Sequence, residues 1–347
     1  MKRWMVITAL GLAAAGGIVT PGAAQASSSE WFQVYQADVS GSFFQTAAIS
    51  KTDIWAVGDT FTRAGKSIYR PFIRHFNGSS WEAITIPHAS GSTADWVSAS
   101  AARNVWVGGL KNSPVATTVV YRWNGAGWGK VPMPATTFLQ GVVALAPNNV
   151  WAFGTSGAVS DDIFHWNGSR WRFYLSDLIN FVPQGISASG PKNVWVSGFA
   201  FSGRKQVVAA YRWNGRAWHP VRMPHPVFDN AGPDVTAVSP SNVWIGWFDN
   251  TSAHALHWSG DRWRTVTMPA TNFADPTDIV PDGKGGYWFG PQAILTGNTW
   301  TAEQVPAFTG GFGGVTRIPG TTSFLLSAGV EMGSSSTEKP TLFRFDL

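Results

Sequence analysis

Apolar and polar residues alternate along this chain in short runs, and Gly, Pro and Asn-Gly pairs interrupt them at close intervals. The i, i+3, i+4 stripe of an amphipathic helix does not recur anywhere. The pattern therefore predicts strands and tight turns throughout.

The runs themselves repeat, and a fixed period outranks any local signal. The phrase V-W-x-x-G appears as DIWAVG at Trp55, NVWVGG at Trp106, NVWAFG at Trp151, NVWVSG at Trp195 and NVWIGW at Trp244, with a shortened GYWFG at Trp288. Successive tryptophans lie 51, 45, 44, 49 and 44 residues apart. A second phrase follows each: HFNGSSW, RWNGAGW, HWNGSRW, RWNGRAW, HWSGDRW and the worn LTGNTW. Each unit reads as four strands. The first carries VSAS, ISAS or VTAV, and the second carries V-W-x-x-G after a turn such as APNN. The third ends in YRW or FHW, and the fourth carries W-x-x-V. Between the last two, Asn and Gly are both expected at positive φ. Four strands per period of about 44 residues predict an all-β fold, a β-propeller with four-stranded antiparallel blades.

The two ends of the chain complete the count. After the sixth copy, VTRIPGTTSFLLSAG and LFRFD supply three strands of a seventh unit, and Leu347 follows before any fourth. The missing W-x-x-V is EWFQV, Trp31 to Val34. The N-terminal strand is thus expected to close the last of seven blades, leaving no open sheet edge.

Composition sharpens this reading. The chain holds 20 tryptophans and no cysteine. Six tryptophans fall at the strand-two position, seven at strand four and four just before the Asn-Gly turn. Burying one removes about 200 Å² from water, at most about 5 kcal/mol. Wedges of that size suit a ring without disulfides, so HWNGSRW is read as a building block and not as a recognition motif. Residues 1–26 carry Lys2 and Arg3, an apolar run from Met5 to Val19 and the small-residue site Ala24-Gln25-Ala26, which reads as a secretory signal peptide. Residues 27–347 are expected to be one propeller domain, secreted, extracellular and monomeric. No later run approaches the ~20 apolar residues of a spanning helix. With Lys2 and Arg3 set aside, 23 basic residues face 20 acidic ones, and without a basic stripe nothing points to nucleic acid.

The W-A-V-G and H-W-N-G-x-x-W phrases resemble the propeller repeats of exported actinobacterial proteins, over essentially all of residues 31–347. The Gly-His…Trp-Asp signature of WD repeats, the Gly-Gly doublet of kelch units and the S-x-D-x-G-x-x-W box of sialidase-like propellers are absent. By analogy of fold, propeller lectins and sugar-processing propellers make carbohydrate the ligand class this resemblance implies.

Signals for chemistry are sparse. His75, His165 and His257 share one repeat position with Arg122, Arg212 and Arg344, which argues for a strand surface over a metal shell. SGRK (Ser202 to Lys205) lacks the companions of a catalytic S-x-x-K, and GGFGG (Gly310 to Gly314) lacks phosphate-loop spacing. NGS at Asn77 and Asn167 belongs to the repeat turn. No cofactor is expected. The acids number 15 Asp and 5 Glu, with Asp161, Asp162, Asp229, Asp234, Asp249, Asp275 and Asp278 standing off the repeat.

Function is expected where the repeat leaves freedom. In a propeller the two-to-three and four-to-one loops share one face around the channel mouth. The four-to-one loops each carry an aromatic: Phe44, Trp96, Phe138, Phe181, Phe228, Phe273 and Phe312. Trp96 and Trp247 fall outside the repeat positions, at such junctions. These rings either plug the gaps between blades or form stacking platforms, beside Asp95, Gln140, Asn230, Asp234 and Asp278, for a glycan or peptide. Trp96 stands out as the tryptophan among phenylalanines. The first expectation is a non-enzymatic binding protein for an extracellular ligand, most plausibly carbohydrate. The alternatives are a polysaccharide hydrolase or lyase using mouth carboxylates, and a protein-interaction scaffold.

Overall fold

The computed structural model describes residues 30–347 apart from residues 65, 112–115, 134–136, 157–159, 175–179, 228–231, 249–252, 269–277, 307–309 and 332–337. The signal peptide expected at 1–26 lies outside the described residues. Among those described, 28 strands form seven sheets of four, and no helix occurs. Blade 1 spans residues 41–84, blade 2 96–131, blade 3 137–173, blade 4 181–220, blade 5 234–267 and blade 6 279–302. Blade 7 combines residues 310–346 with the N-terminal strand Phe32–Gln36. In blades 1 to 6 the strands pair in chain order with the first innermost, in blade 7 Gly310–Arg317 is innermost and the N-terminal strand outermost, and the inner strands meet one another around the ring.

Closure follows the expected route. Phe32 pairs with Arg344, Gln33 with Phe343, Tyr35 with Leu342 and Gln36 with Thr341, antiparallel. Trp31 is buried against Trp288 and Phe345, with ring centroids 5.5 and 5.3 Å away, and its Nε1–H donates to the Pro291 carbonyl at 3.0 Å. Trp31 thereby holds blade 7 against blade 6.

Tryptophans set the blade spacing. The strand-two indole of one blade packs against the tryptophans flanking the three-to-four turn of the next. Trp55 meets Trp123 and Trp128, Trp106 meets Trp166 and Trp171, Trp151 meets Trp213 and Trp218, and Trp195 meets Trp263. Each such pair adds about 0.5–1.5 kcal/mol beyond the area it buries. At the junction of blades 7 and 1 the repeat offers Leu325 instead, packed with Ile54, Ile318, Phe76 and Trp81.

The residue two before each strand-two tryptophan explains the rest of the motif. Asn104 Oδ1 accepts both the Trp106 Nε1–H and the Arg122 Nε–H, at 3.1 and 3.0 Å. Asp53 takes that role for Trp55 and His75, and Asn242 for Trp244 and His257. The imidazoles of His75, His165 and His257 stack on Trp55, Trp151 and Trp244 at 4.3, 4.2 and 4.1 Å. The Arg122 and Arg212 guanidiniums lie over Trp106 and Trp195. The shared His/Arg position is therefore not a plain strand surface. It is a flat cationic or aromatic lid on the strand-two indoles of blades 1 to 5. Blade 6 has Gly286 where blades 1 to 5 have Asp or Asn, and its Trp288 Nε1–H is buried without a partner; in blade 3 Asn149 meets His165 while the Trp151 Nε1–H is likewise left without one.

The Asn-Gly turns differ in one respect from expectation. Only the glycine takes positive φ, for example +93° at Gly125 and +98° at Gly168. The asparagine instead caps the turn: Asn124 Oδ1 accepts the N–H of Ala126 and Gly127, and Asn167 Oδ1 those of Ser169 and Arg170. Trp123 pairs with Trp128, so the hairpin loop has four residues, and its Asx geometry does not require a left-handed Asn.

Candidate functional site

The inner strands begin, and the second strands end, on one face of the ring, called here the loop face. An inner strand has no further strand on its channel side, so its backbone groups need other partners. Side chains of the adjoining blade supply them. Gln45 Oε1 accepts Val97 N–H, Ser98 Oγ accepts Ala144 N–H, Ser187 Oγ accepts Ala237 N–H, and Asp278 Oδ2 accepts Val315 N–H. Thr236 and Thr316 donate to the carbonyls of Ile279 and Thr46. Polar residues on or beside the inner strands thus strap six of the blade junctions together.

The junction aromatics separate into two groups. Trp96 is 5 % exposed, lying in the core between blades 2 and 3 with Trp106 and Leu139. Its ring covers Gly108 so closely that a Cβ there would stand 2.0 Å from the indole. Trp247 is 3 % exposed and stacks on His254, and Phe181 is 6 % exposed with its edge on Tyr211. These three plug gaps between strands and blades and offer no stacking platform. Phe44, Phe138 and Phe312 are half-buried, so part of each ring meets solvent. Phe44 is the extra residue of a bulge between Phe43 and Gln45, and Phe312 packs on the core between blades 6 and 7. Phe228 and Phe273 lie outside the described residues, as do Asn230, Asp229, Asp249 and Asp275.

The acids divide similarly. Asp278 is a strap. Asp234 accepts its neighbour's Val235 N–H at 2.7 Å and sits against Gly185, where any Cβ would meet its Oδ1 at 1.9 Å. Asp162 is buried. Gln140 is exposed at the head of blade 3.

Asp95 is different, and it has a partner that sequence reading passed over. The segment before the blade 2 inner strand runs alongside the end of the second strand: Thr93 N–H donates to Leu110 O and Asp95 N–H to Gly108 O, both at 2.8 Å. The intervening Ala94 N–H points the other way, into blade 1, and donates to Asp59 Oδ1 at 2.8 Å. Asp59 is 5 % exposed. Burial, opposed by that hydrogen bond and reinforced by the Asp95 charge, pushes its carboxyl up to about 8. Water reaches Asp95, yet protein surrounds it on most sides, and this desolvation raises its pKa too, against a hydrogen bond from Thr93. The pair therefore combines a carboxylic acid that keeps its proton at neutral pH with a second, solvent-reachable carboxyl. One feature in the sequence could have shown Asp59. Four residues after the strand-two tryptophan, the other blades of that motif place Leu110, Thr155, Phe199 and Phe248, and only blade 1 places an acid.

More carboxylate lies on the same rim. Ser42, opposite Asp59 across the first two strands of blade 1, donates to Glu338 Oε2. Glu338 faces Glu331 at the ends of the two middle strands of blade 7, and burial first, then that like charge, raises its pKa. From blade 7 through blade 1 to blade 2, the loop face thus carries Glu331, Glu338, Ser42, Asp59 and Asp95. Exposed Arg70, Lys111, Arg204 and Lys205 stand further out on the two-to-three hairpins.

No family model matches this chain, and no curated protein matches it. Its fold, however, recurs among solved structures. YCF48 bound to D1 peptide is 14% identical over 92% of this chain and 96% of that one, with a TM-score of 0.61. YCF48 from Cyanidioschyzon merolae is 15% identical over 91% and 99%, with a TM-score of 0.57. A fucose-specific lectin from Aleuria aurantia is 16% identical over 65% and 78%, at a TM-score of 0.42, too distant to carry an argument. Identities this low speak for the architecture alone: the chain is a seven-bladed β-propeller closed by its own N-terminal strand.

Proposed function

We propose that this protein is an exported binding propeller that takes an extracellular carbohydrate at the loop face, between the Asp59–Asp95 pair and the half-buried phenylalanines of the mouth. The observation that carries this reading is the pair itself. The straps engage Gln45, Ser98, Ser187 and Asp278, whereas Asp95 is left open to solvent beside buried Asp59, whose carboxyl is pushed up to about 8 by burial. A neutral carboxyl both donates and accepts, and with a neighbouring carboxyl it suits the paired hydroxyls of a sugar. Phe44 and Phe138 add apolar surface for ring faces. Glycan-array binding with the wild type, Asp95→Asn and Phe138→Ala tests it. Binding to a defined glycan that falls in both variants is expected, and a wild type that binds no glycan overturns it.

One observation favours hydrolysis as a second reading. A carboxyl with a pKa of about 8 beside a second carboxyl is the division of labour of a general acid and its partner. Asp59→Asn keeps the Ala94 hydrogen bond but removes the proton. If the bound glycan is cleaved by wild type and not by this variant, the enzyme reading replaces the lectin-like one. A protein ligand is the third outcome, tested by pull-down from culture supernatant.

A further inference from the structure

The connection between blades 1 and 2 has another side. Its Pro87 and His88, with Lys111, Tyr121, Trp128 and Lys130 of blade 2, line a cavity of about 330 Å³ at the outer rim, away from the mouth. That volume is at the small end of the ~300–1,000 Å³ typical of small-ligand pockets.

The lining is consistent in chemistry. Lys130 and Tyr121 are cross-strand partners, so their side chains share a face, and Trp128 stands two residues along that same face. Lys111 is held from both sides, by Thr117 within blade 2 and by a bridge to Ser92 of the connection. His88 has φ +60°, a conformation costly for a residue with a side chain, and it puts an imidazole on the same cavity. Two lysines and a histidine therefore line one small space whose lining includes no Asp or Glu. Neither lysine has an ion-pair partner among the described residues. Trp128, Tyr121 and Pro87 supply flat apolar walls. We infer that this pocket is a second ligand site, for a hexose-sized ring bearing one anionic group. The lysines hold the anion as point charges and the aromatic walls hold the ring.

This site is separate from the mouth, and its test uses different residues. Calorimetric titration of the folded protein at low ionic strength with sodium glucuronate, glucose 6-phosphate, glucose and sodium sulfate reads it directly. One of the two acidic sugars is expected to bind saturably, with the carboxylate and the phosphate as its two possible sources of charge. Glucose should give no saturable heat. The exposed pair Lys111→Gln and Lys130→Gln, made together, should weaken that binding about tenfold or more, as loss of charge-assisted hydrogen bonds does. Lys205→Gln, on another blade, should leave it unchanged, and added salt should weaken the wild type. Affinity that survives the double substitution, silence toward both acidic sugars, or sulfate binding as tightly as either sugar overturns the inference.

Discussion

The two faces of the ring obey different rules. On the turn face blades 1 to 5 repeat one device: an Asn or Asp stands two residues before the strand-two indole, holding its nitrogen in four of them, and a His or Arg lies flat on the indole. On the loop face the blades share only the straps, and each adds its own residues to them. The first face tolerates little variation where its groups are buried and paired, as at Asn104, because an unmatched change there leaves a polar atom without a partner. The second is free to vary because its side chains meet water or the channel. Their pH behaviour differs in sign as well. His165, half-buried on the turn face, has its pKa lowered to about 4, by burial first and then by Arg172. Asp59, buried on the loop face, has its pKa raised to about 8.

That contrast can be broken most forcefully at the turn face. Trp106 is fully buried and packs on two tryptophans of blade 3. Trp106→Ala should cost about 3–5 kcal/mol, read as a fall in the denaturant midpoint. Asn104→Ala removes the acceptor for Trp106 and Arg122 while leaving the indole in place, and should cost about 1–3 kcal/mol in the same measurement. A loss as large as that for Trp106→Ala would mean that the bracket, and not the buried indole area, sets the blade spacing.

The pH dependence sharpens the comparison. At Asp59 the native state keeps a proton that the unfolded chain has lost, between the ordinary aspartate value of 3.8 and about 8. Stability should therefore fall as pH rises through that window. Asp59→Asn should flatten this alkaline limb and melt above the wild type at pH near 9. At His165 the unfolded chain binds the proton that the native state refuses, between 6.5 and about 4. Stability should fall as pH drops through that range, and His165→Gln should flatten the acid limb. Thermal melts across pH read both, and identical limbs in variant and wild type would contradict the burial argument. The smallest effect on stability is expected at Asp95→Asn, because that side chain is solvent-reachable. Its melting temperature should stay close to that of the wild type while glycan binding falls.

Much of the fold was legible from one period. The V-W-x-x-G spacing gave the blades, and the orphan W-x-x-V at Trp31 gave the closure, because alternation and turn residues are local properties that each strand carries alone. The site was less legible. Trp96 stood out by identity, but whether an aromatic at a strand's head turns outward or inward depends on the space beside it, here the bare Gly108. Asp59 looked like any loop acid, although its break with the repeat was visible.

The sequence by itself therefore determined the number of blades, their strand order and the glue between them, since a repeated apolar pattern has only one way to bury every copy. Tertiary structure alone decided which rings became plugs, which polar residues became straps and which carboxyl lost its charge. Those outcomes rest on contacts between blades some 35 or more residues apart, as Asp59 is from Ala94. Desolvation is set by everything that surrounds a group, and no local pattern records it.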